Sequence, residues 1–174
     1  MAAQAINVPF GPLSELASPD GNHVLFLNRT QVPPELWIRH TGSSESRRLL
    51  VVNRTARVQW AADSNALYVV DQDSSSSSET RIYDAQGRLV LTATEALLKA
   101  DPSLARFDGH RYVEARDWID TSTLRVYWFG HTDGPVTCFT FQYSLGINGQ
   151  ATRTSERFGR PTATTPCLEL PDEQ

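Results

Sequence analysis

The sequence predicts an all-β chain arranged as about three antiparallel sheets, with one short helix near residues 93–101. Three observations lead there. A hydrophobic residue, an Asp turn, an apolar strand and a second strand ending at Gly recur along the chain. Leu16-Ala17-Ser18-Pro19-Asp20-Gly21-Asn22-His23-Val24-Leu25-Phe26-Leu27 aligns with Trp60-Ala61-Ala62-Asp63-Ser64-Asn65-Ala66-Leu67-Tyr68-Val69-Val70 when one residue is gapped. Glu35-Leu36-Trp37-Ile38-Arg39-His40-Thr41-Gly42 then lies over Thr80-Arg81-Ile82-Tyr83-Asp84-Ala85-Gln86-Gly87, and a more degenerate third copy begins at Trp118 and continues through Phe129. The apolar runs are of strand length and bounded by Gly, Pro, Asn and Asp. Helix signals are confined to Thr92–Pro102.

Taken in order, Pro9, Gly11 and Pro12 keep the first segment extended, and Leu13 to Leu16 leads into the first unit, residues 13–52. Val24 to Leu27 is a continuous apolar run, expected to be a strand covered on both faces. Leu36-Trp37-Ile38 follows Pro33-Pro34, which cannot donate to a ladder and mark a loop or a strand edge. Arg48 to Val52 and Ala56 to Trp60 are expected to pair across Asn53-Arg54-Thr55. The second unit, 53–92, holds Leu67 to Val70 and Arg81 to Tyr83, joined by Asp71-Gln72-Asp73 and the polar run Ser74 to Ser78. Arg88 to Leu91 closes it. Thr92 and Glu95 have the spacing of a capping box, and Pro102 limits the helix to about two turns. The third unit, 111–150, contains Tyr112–Ala115, Leu124–Phe129 and Val136–Tyr143; residues 151–174, with Pro161, Pro166 and Pro171, are expected to form an irregular tail.

Composition bounds the function classes. The 174 residues suit one domain, and 40% hydrophobic with 21% charged residues is the balance of an ordinary globular chain. A net charge of −4 with dispersed arginines argues against nucleic acid, which needs a concentrated basic face. No apolar run is long enough to span a bilayer. Met1-Ala2-Ala3-Gln4-Ala5 has the small-x-small pattern that ends a secretory signal, without the regions that precede it. Cys138 and Cys167 are a candidate disulfide stapling the end of the chain to the third unit in an oxidising compartment. Two free thiols in a cytoplasmic protein are the alternative.

The Ser18-Pro19-Asp20-Gly21 turn, the apolar strand after it and the Glu35-Leu36-Trp37-Ile38 strand resemble blades of TolB-type and WD-repeat propellers. Repeats of roughly 40 to 50 residues built from short strands are the mark of such arrays. The resemblance is good over residues 16–42, fair over 58–91 and poor over 112–145. Three units are fewer than the four or more blades that close a ring, so the resemblance implies an incomplete β-propeller-like arrangement with edges to be covered or used. In size and make-up the chain also looks like small exported bacterial immunity proteins that neutralise cell-wall amidases delivered by type VI secretion. That likeness implies a protein partner, a secreted peptidoglycan amidase, and inhibition by occlusion of its cleft.

The side-chain chemistry points to binding rather than catalysis. Gly-x-Ser-x-Gly, a P-loop and a dinucleotide fingerprint are absent, and no cofactor is expected. Asp71, Asp73, Ser75 and Glu79 have alternate-oxygen spacing, but Ser76 stands where a calcium loop needs Gly and Ile82 where it needs a bidentate Glu, so no metal is expected. His23, His40, His110 and His131 lack metal-ligand spacing. Cys138 and His131 invite a nucleophile-and-base reading, but Cys138 sits in an alternating apolar strand and His131 in the Gly130–Pro135 turn, so an inert core thiol or a disulfide is the expected state. The expected partner-binding residues are therefore Asp73, Ser74, Ser75, Ser76, Ser77, Ser78 and Glu79 in a protruding loop, His131 and Asp133 in a turn, and Trp128. Tyr127, Trp128 and Phe129 are consecutive and cannot share one face of a strand, so at least one is expected to be exposed or covered by the tail. The alternative reading is a ligand-sensing or scaffold fragment of a larger propeller assembly; oligomeric state is left open.

Overall fold

A computed structural model describes residues 6–8, 15–107, 109–132, 137–160 and 167. It contains thirteen strands and one α-helix among the described residues. After β1 (Ile6–Val8) come three four-stranded antiparallel meanders. The first is β2 (Glu15–Ala17), β3 (His23–Asn28), β4 (Glu35–His40) and β5 (Ser46–Val51). The second is β6 (Thr55–Trp60), β7 (Ala66–Gln72), β8 (Ser77–Asp84) and β9 (Leu89–Thr92). The third is β10 (His110–Trp118), β11 (Thr123–His131), β12 (Cys138–Gly146) and β13 (Ala151–Gly159).

Each meander is punctuated the same way. At its first turn an Asp carboxylate accepts the backbone N–H two residues on: Asp20 from Asn22 (3.0 Å), Asp63 from Asn65 (3.1 Å) and Asp120 from Ser122 (2.7 Å). Such side-chain turns are what Asp offers at a strand reversal. The last turn of each closes on a glycine with positive φ, Gly42 at +79°, Gly87 at +73° and Gly149 at +82°. The third copy, degenerate in sequence, is thus complete in structure, because β13 supplies its fourth strand. Residues 151–159 are not irregular tail; they pair with β12 from Cys138↔Gly159 to Leu145↔Ala151. Alternation there is hidden because almost every side chain of β13 faces solvent.

The first meander is a sheet of its own, in order β2-β3-β4-β5. The second, extended by β1, runs into the third as a mixed sheet in order β1-β6-β7-β8-β10-β11-β12-β13, with β9 also on β8. The seam is a two-residue parallel pairing, Ser77 with Arg111 and Ser78 with Tyr112. No sheet closes on itself into a barrel among the described residues. Adjacent in sequence, β5 and β6 do not pair as expected; the chain leaves one sheet for the other at Val52–Arg54.

The second unit is the middle layer. Its Val58, Trp60, Leu67, Val69 and Tyr83 meet Leu25, Leu36, Ile38 and Leu50 of the first sheet. Its opposite face, Tyr68, Val70 and Ile82, meets the helix α1 (Ala93–Ala100) and Val113, Val126, Trp128, Phe139, Phe141 and Tyr143 of the third unit. The strand covered on both faces is therefore β7, every residue of which from Ala66 to Asp71 is buried, rather than Val24–Leu27, where Phe26 and Leu27 stay half-exposed. Each such fully buried aliphatic side chain contributes about 1.5–3 kcal/mol of transfer free energy.

Beyond Tyr112, β10 peels away from β8 and crosses the middle layer. The Thr80 hydroxyl bridges the divergence, donating to Val113 O (2.9 Å) and accepting from Ala115 N (2.8 Å), so both strand groups stay satisfied. Tyr68 Oη then lies 2.6 Å from Gln59 Oε1 and 3.0 Å from Arg116 O, its single proton serving one of the two at a time. The helix forms where expected, but Thr92 makes no side-chain cap bond. Glu79 of β8 takes that role from outside, accepting from Thr94 N (3.1 Å).

Candidate functional site

In the third unit the register brings His110, His131, Cys138 and Gly159 into one row across four strands, at the end of the sheet where β11 ends and β12 begins. The His110 and His131 rings stack with centroids 4.2 Å apart and planes 24° apart. Cys138, beside His131, is bonded to Cys167, their Cα atoms 5.1 Å apart. The disulfide pins residue 167 to this end. It also commits the Cys138 sulfur, so in this structure the thiol is not a nucleophile and His131 is not its base.

Gly130 makes the row possible. Its φ is +153°, and a Cβ there would lie 1.7 Å from the His110 carbonyl oxygen. Only a residue without a side chain lets β10 and β11 approach this closely.

The polar turn predicted to bind a partner reaches the same end. Arg111 N donates to Ser76 O (3.0 Å) and Tyr112 Oη to Ser75 O (2.7 Å). Within the turn, Ser77 Oγ donates to Asp73 Oδ1 (2.7 Å), Ser74 Oγ lies 2.7 Å from Ser77 Oγ, and Ser76 N donates to Ser74 Oγ (3.1 Å). Under it, Tyr112 stacks on Phe129 at 5.3 Å, and with Tyr127 they form a small aromatic cluster separate from the main cores. The assembly is a rigid hydroxyl-rich turn, two stacked imidazoles and an aromatic floor.

Several expected members belong elsewhere. Trp128 is fully buried and its indole N–H donates to Phe107 O (3.1 Å), so it is a core residue and not a contact. Tyr127 and Phe129 are also buried, at 7% and 5% exposure; the three consecutive aromatics divide between the two faces of β11, and each face is covered. The Ser run is no flexible protrusion: Ser77 and Ser78 lie within β8, and Ser78 Oγ donates to Glu114 Oε1 (3.1 Å), whose carboxylate also faces Arg57 at 3.6 Å. Glu79 serves the helix, and burial pushes its carboxyl up from the usual range. Of the turn, Asp73 and Ser75 remain exposed. Asp133 lies outside the described residues.

The alternate-oxygen series does not converge either. Asp71 is buried and bonds Arg81 (2.5 Å), Glu79 turns to α1 and Asp73 to Ser77. Burial raises the Asp71 carboxyl, with Arg81 opposing it. No group of three or more His, Cys, Asp or Glu able to hold a metal occurs among the described residues.

His110 and Tyr112 were missed in the sequence. Their only signal is alternation with Val113, which turns both to the outer face; the pairing that sets His110 on His131 is at the open end of the β10–β11 hairpin, where its register, shifted between Ala115 and Asp117, is not written in the sequence.

The chain matches no protein-family model, and no curated protein matches it.

Proposed function

We propose that this chain is a non-enzymatic protein-binding domain: an exported bacterial inhibitor or immunity protein whose strand-connecting loops occlude the active site of a cell-wall hydrolase. The observation that carries the reading is the convergence of the Asp73–Ser77 turn with His110 and His131 at one sheet end. Exposed polar groups over an aromatic floor, held by hydrogen bonds and a nearby disulfide, cost little ordering entropy on binding. The Cys138–Cys167 bond supports the exported setting, since disulfides persist where thiols are oxidised. In this reading the three meanders, with their common order of Asp turn and glycine turn, are the blades of an incomplete propeller-like array.

The test is calorimetry and inhibition assays against secreted peptidoglycan amidases, with Asp73→Arg and Ser75→Arg as loop variants. Tight binding that the loop variants weaken at least tenfold is the expected result. Binding to none of them, or binding indifferent to both variants, overturns the reading.

A second reading, a scaffold fragment of a larger propeller assembly, is favoured by β13, a nine-residue edge strand that is almost wholly exposed and carries Phe158 at 49% exposure. Such an edge offers unpaired backbone groups to another chain. It predicts concentration-dependent self-association by light scattering, which the inhibitor reading does not require.

A further inference from the structure

At the opposite end of the molecule, the first sheet and the second unit part to leave an open pocket of about 560 Å³. Its volume lies within the range of small-ligand sites. One wall is the inner face of the first sheet, where His23 and His40 are register partners with rings edge to face at 5.3 Å, and where Arg47 stands opposite Ile38. The other wall is the Ala85–Gln86 turn of the second unit. Gly87 seats that turn: a Cβ there would lie 2.4 Å from Ile38 Cγ2 and 3.2 Å from Arg47 Cδ, so the glycine fixes the spacing of the walls.

The nitrogen groups around this pocket are under-used. His23 Nδ1 is buried without a hydrogen-bond partner, and so is the indole N–H of Trp60, a residue only 3% exposed whose ring lies 6.2 Å from that of His23. His40 Nδ1 sits 2.9 Å from Thr41 O, which leaves Nε2 for another contact. Arg39 is neutralised by Glu15 at 2.6 Å, whereas the Arg47 side chain makes no ion pair or hydrogen bond among the described residues. Glu45 is the one carboxylate among the described lining residues. Trp60 lies behind the lining; within it, an unpartnered imidazole nitrogen beside an unpaired guanidinium favours a ligand that brings negative oxygen, because charge-assisted hydrogen bonds are the stronger kind.

We propose that this pocket binds a compact oxyanion, a carboxylate or a phosphate, with Arg47 supplying the charge and His23 and His40 the orienting contacts. Nothing in the sequence pattern marks it, since the three residues lie on three different strands.

The test is a titration of the histidine ring resonances by NMR at constant ionic strength, with inorganic phosphate in one arm and succinate in the other. Saturable shifts of His23 and His40 in the wild type, weakened at least fivefold by Arg47→Ala, are expected; a response in one arm alone identifies the anion. Arg47 is exposed, so the variant should keep the native spectrum. No saturable shift in either arm, or shifts unaltered by Arg47→Ala, overturns the proposal.

Discussion

Replacing Gly130 by Ala tests whether the stacked-histidine end depends on a backbone contact. Two positive-φ glycines give an internal comparison. Gly42, at φ +79°, has no atom within 4 Å of where a Cβ would stand. Alanine there meets only left-handed strain, about 1–2 kcal/mol, partly offset by about 0.4–1 kcal/mol from a less flexible unfolded chain. At Gly130 the new Cβ would sit 1.7 Å from His110 O and 3.2 Å from Phe139 Cζ. The obstacle is backbone, so β10 must withdraw by more than about 1 Å, disturbing the His110–His131 stack and the adjacent pairing; overpacking of this kind adds about 1–3 kcal/mol or more. The expected losses are about 1 kcal/mol for Gly42→Ala and about 3–4 kcal/mol for Gly130→Ala. Urea unfolding followed by tryptophan fluorescence resolves them: with a slope of about 2 kcal/mol per molar, midpoints fall by about 0.5 M and about 1.5–2 M. A Gly130→Ala midpoint no lower than that of Gly42→Ala would refute the argument.

Two more outcomes follow from the same geometry. Cys138→Ser opens a loop with a sequence separation of 29 residues and should cost about 3–4 kcal/mol on the chain-entropy relation, read as a fall in thermal midpoint that reducing agent reproduces in the wild type. Glu79→Gln keeps an acceptor for Thr94 N and removes a carboxyl that burial raises; the wild type should lose stability as pH rises from about 4.5 through that raised value, and the variant should show a shallower decline in pH-dependent denaturation. Below that window the sign reverses for both proteins. The Ser18 hydroxyl and Asn22 N–H hold Asp20 down at about 2, and Ser103, Tyr143 and Arg153 do the same for Asp101, so stability present above about pH 4 is lost toward pH 2.

The parts of the fold set by local chemistry were legible. Asp20, Asp63 and Asp120 each make the turn that their residue type favours, and Pro102 ends the helix it follows. What depended on long-range register was not. β13 could not be read as a strand because a solvent-facing edge shows no apolar alternation, and β5 and β6 looked like a hairpin although each finds its partners in a different sheet. The same limit governed the candidate site. Asp73 and Ser75 are exposed turn residues as expected, whereas Trp128 was misplaced because the cover over its face of β11 comes from outside the strand pattern, with Phe107 accepting its indole N–H, while Phe129 on the other face stacks on its cross-strand neighbour Tyr112.

The pairing pattern has a kinetic consequence. Among the described strands every pairing joins chain neighbours except two, β1 with β6 and β8 with β10. Local hairpins close with little loop entropy, so each meander can assemble early, while the two distant seams wait on longer closures. Both seams are made on strands of the second unit. That unit is therefore the template on which the rest is laid down: weakening β6 or β8 should slow the folding of the whole chain, whereas equal weakening of β5 or β13 should chiefly speed its unfolding.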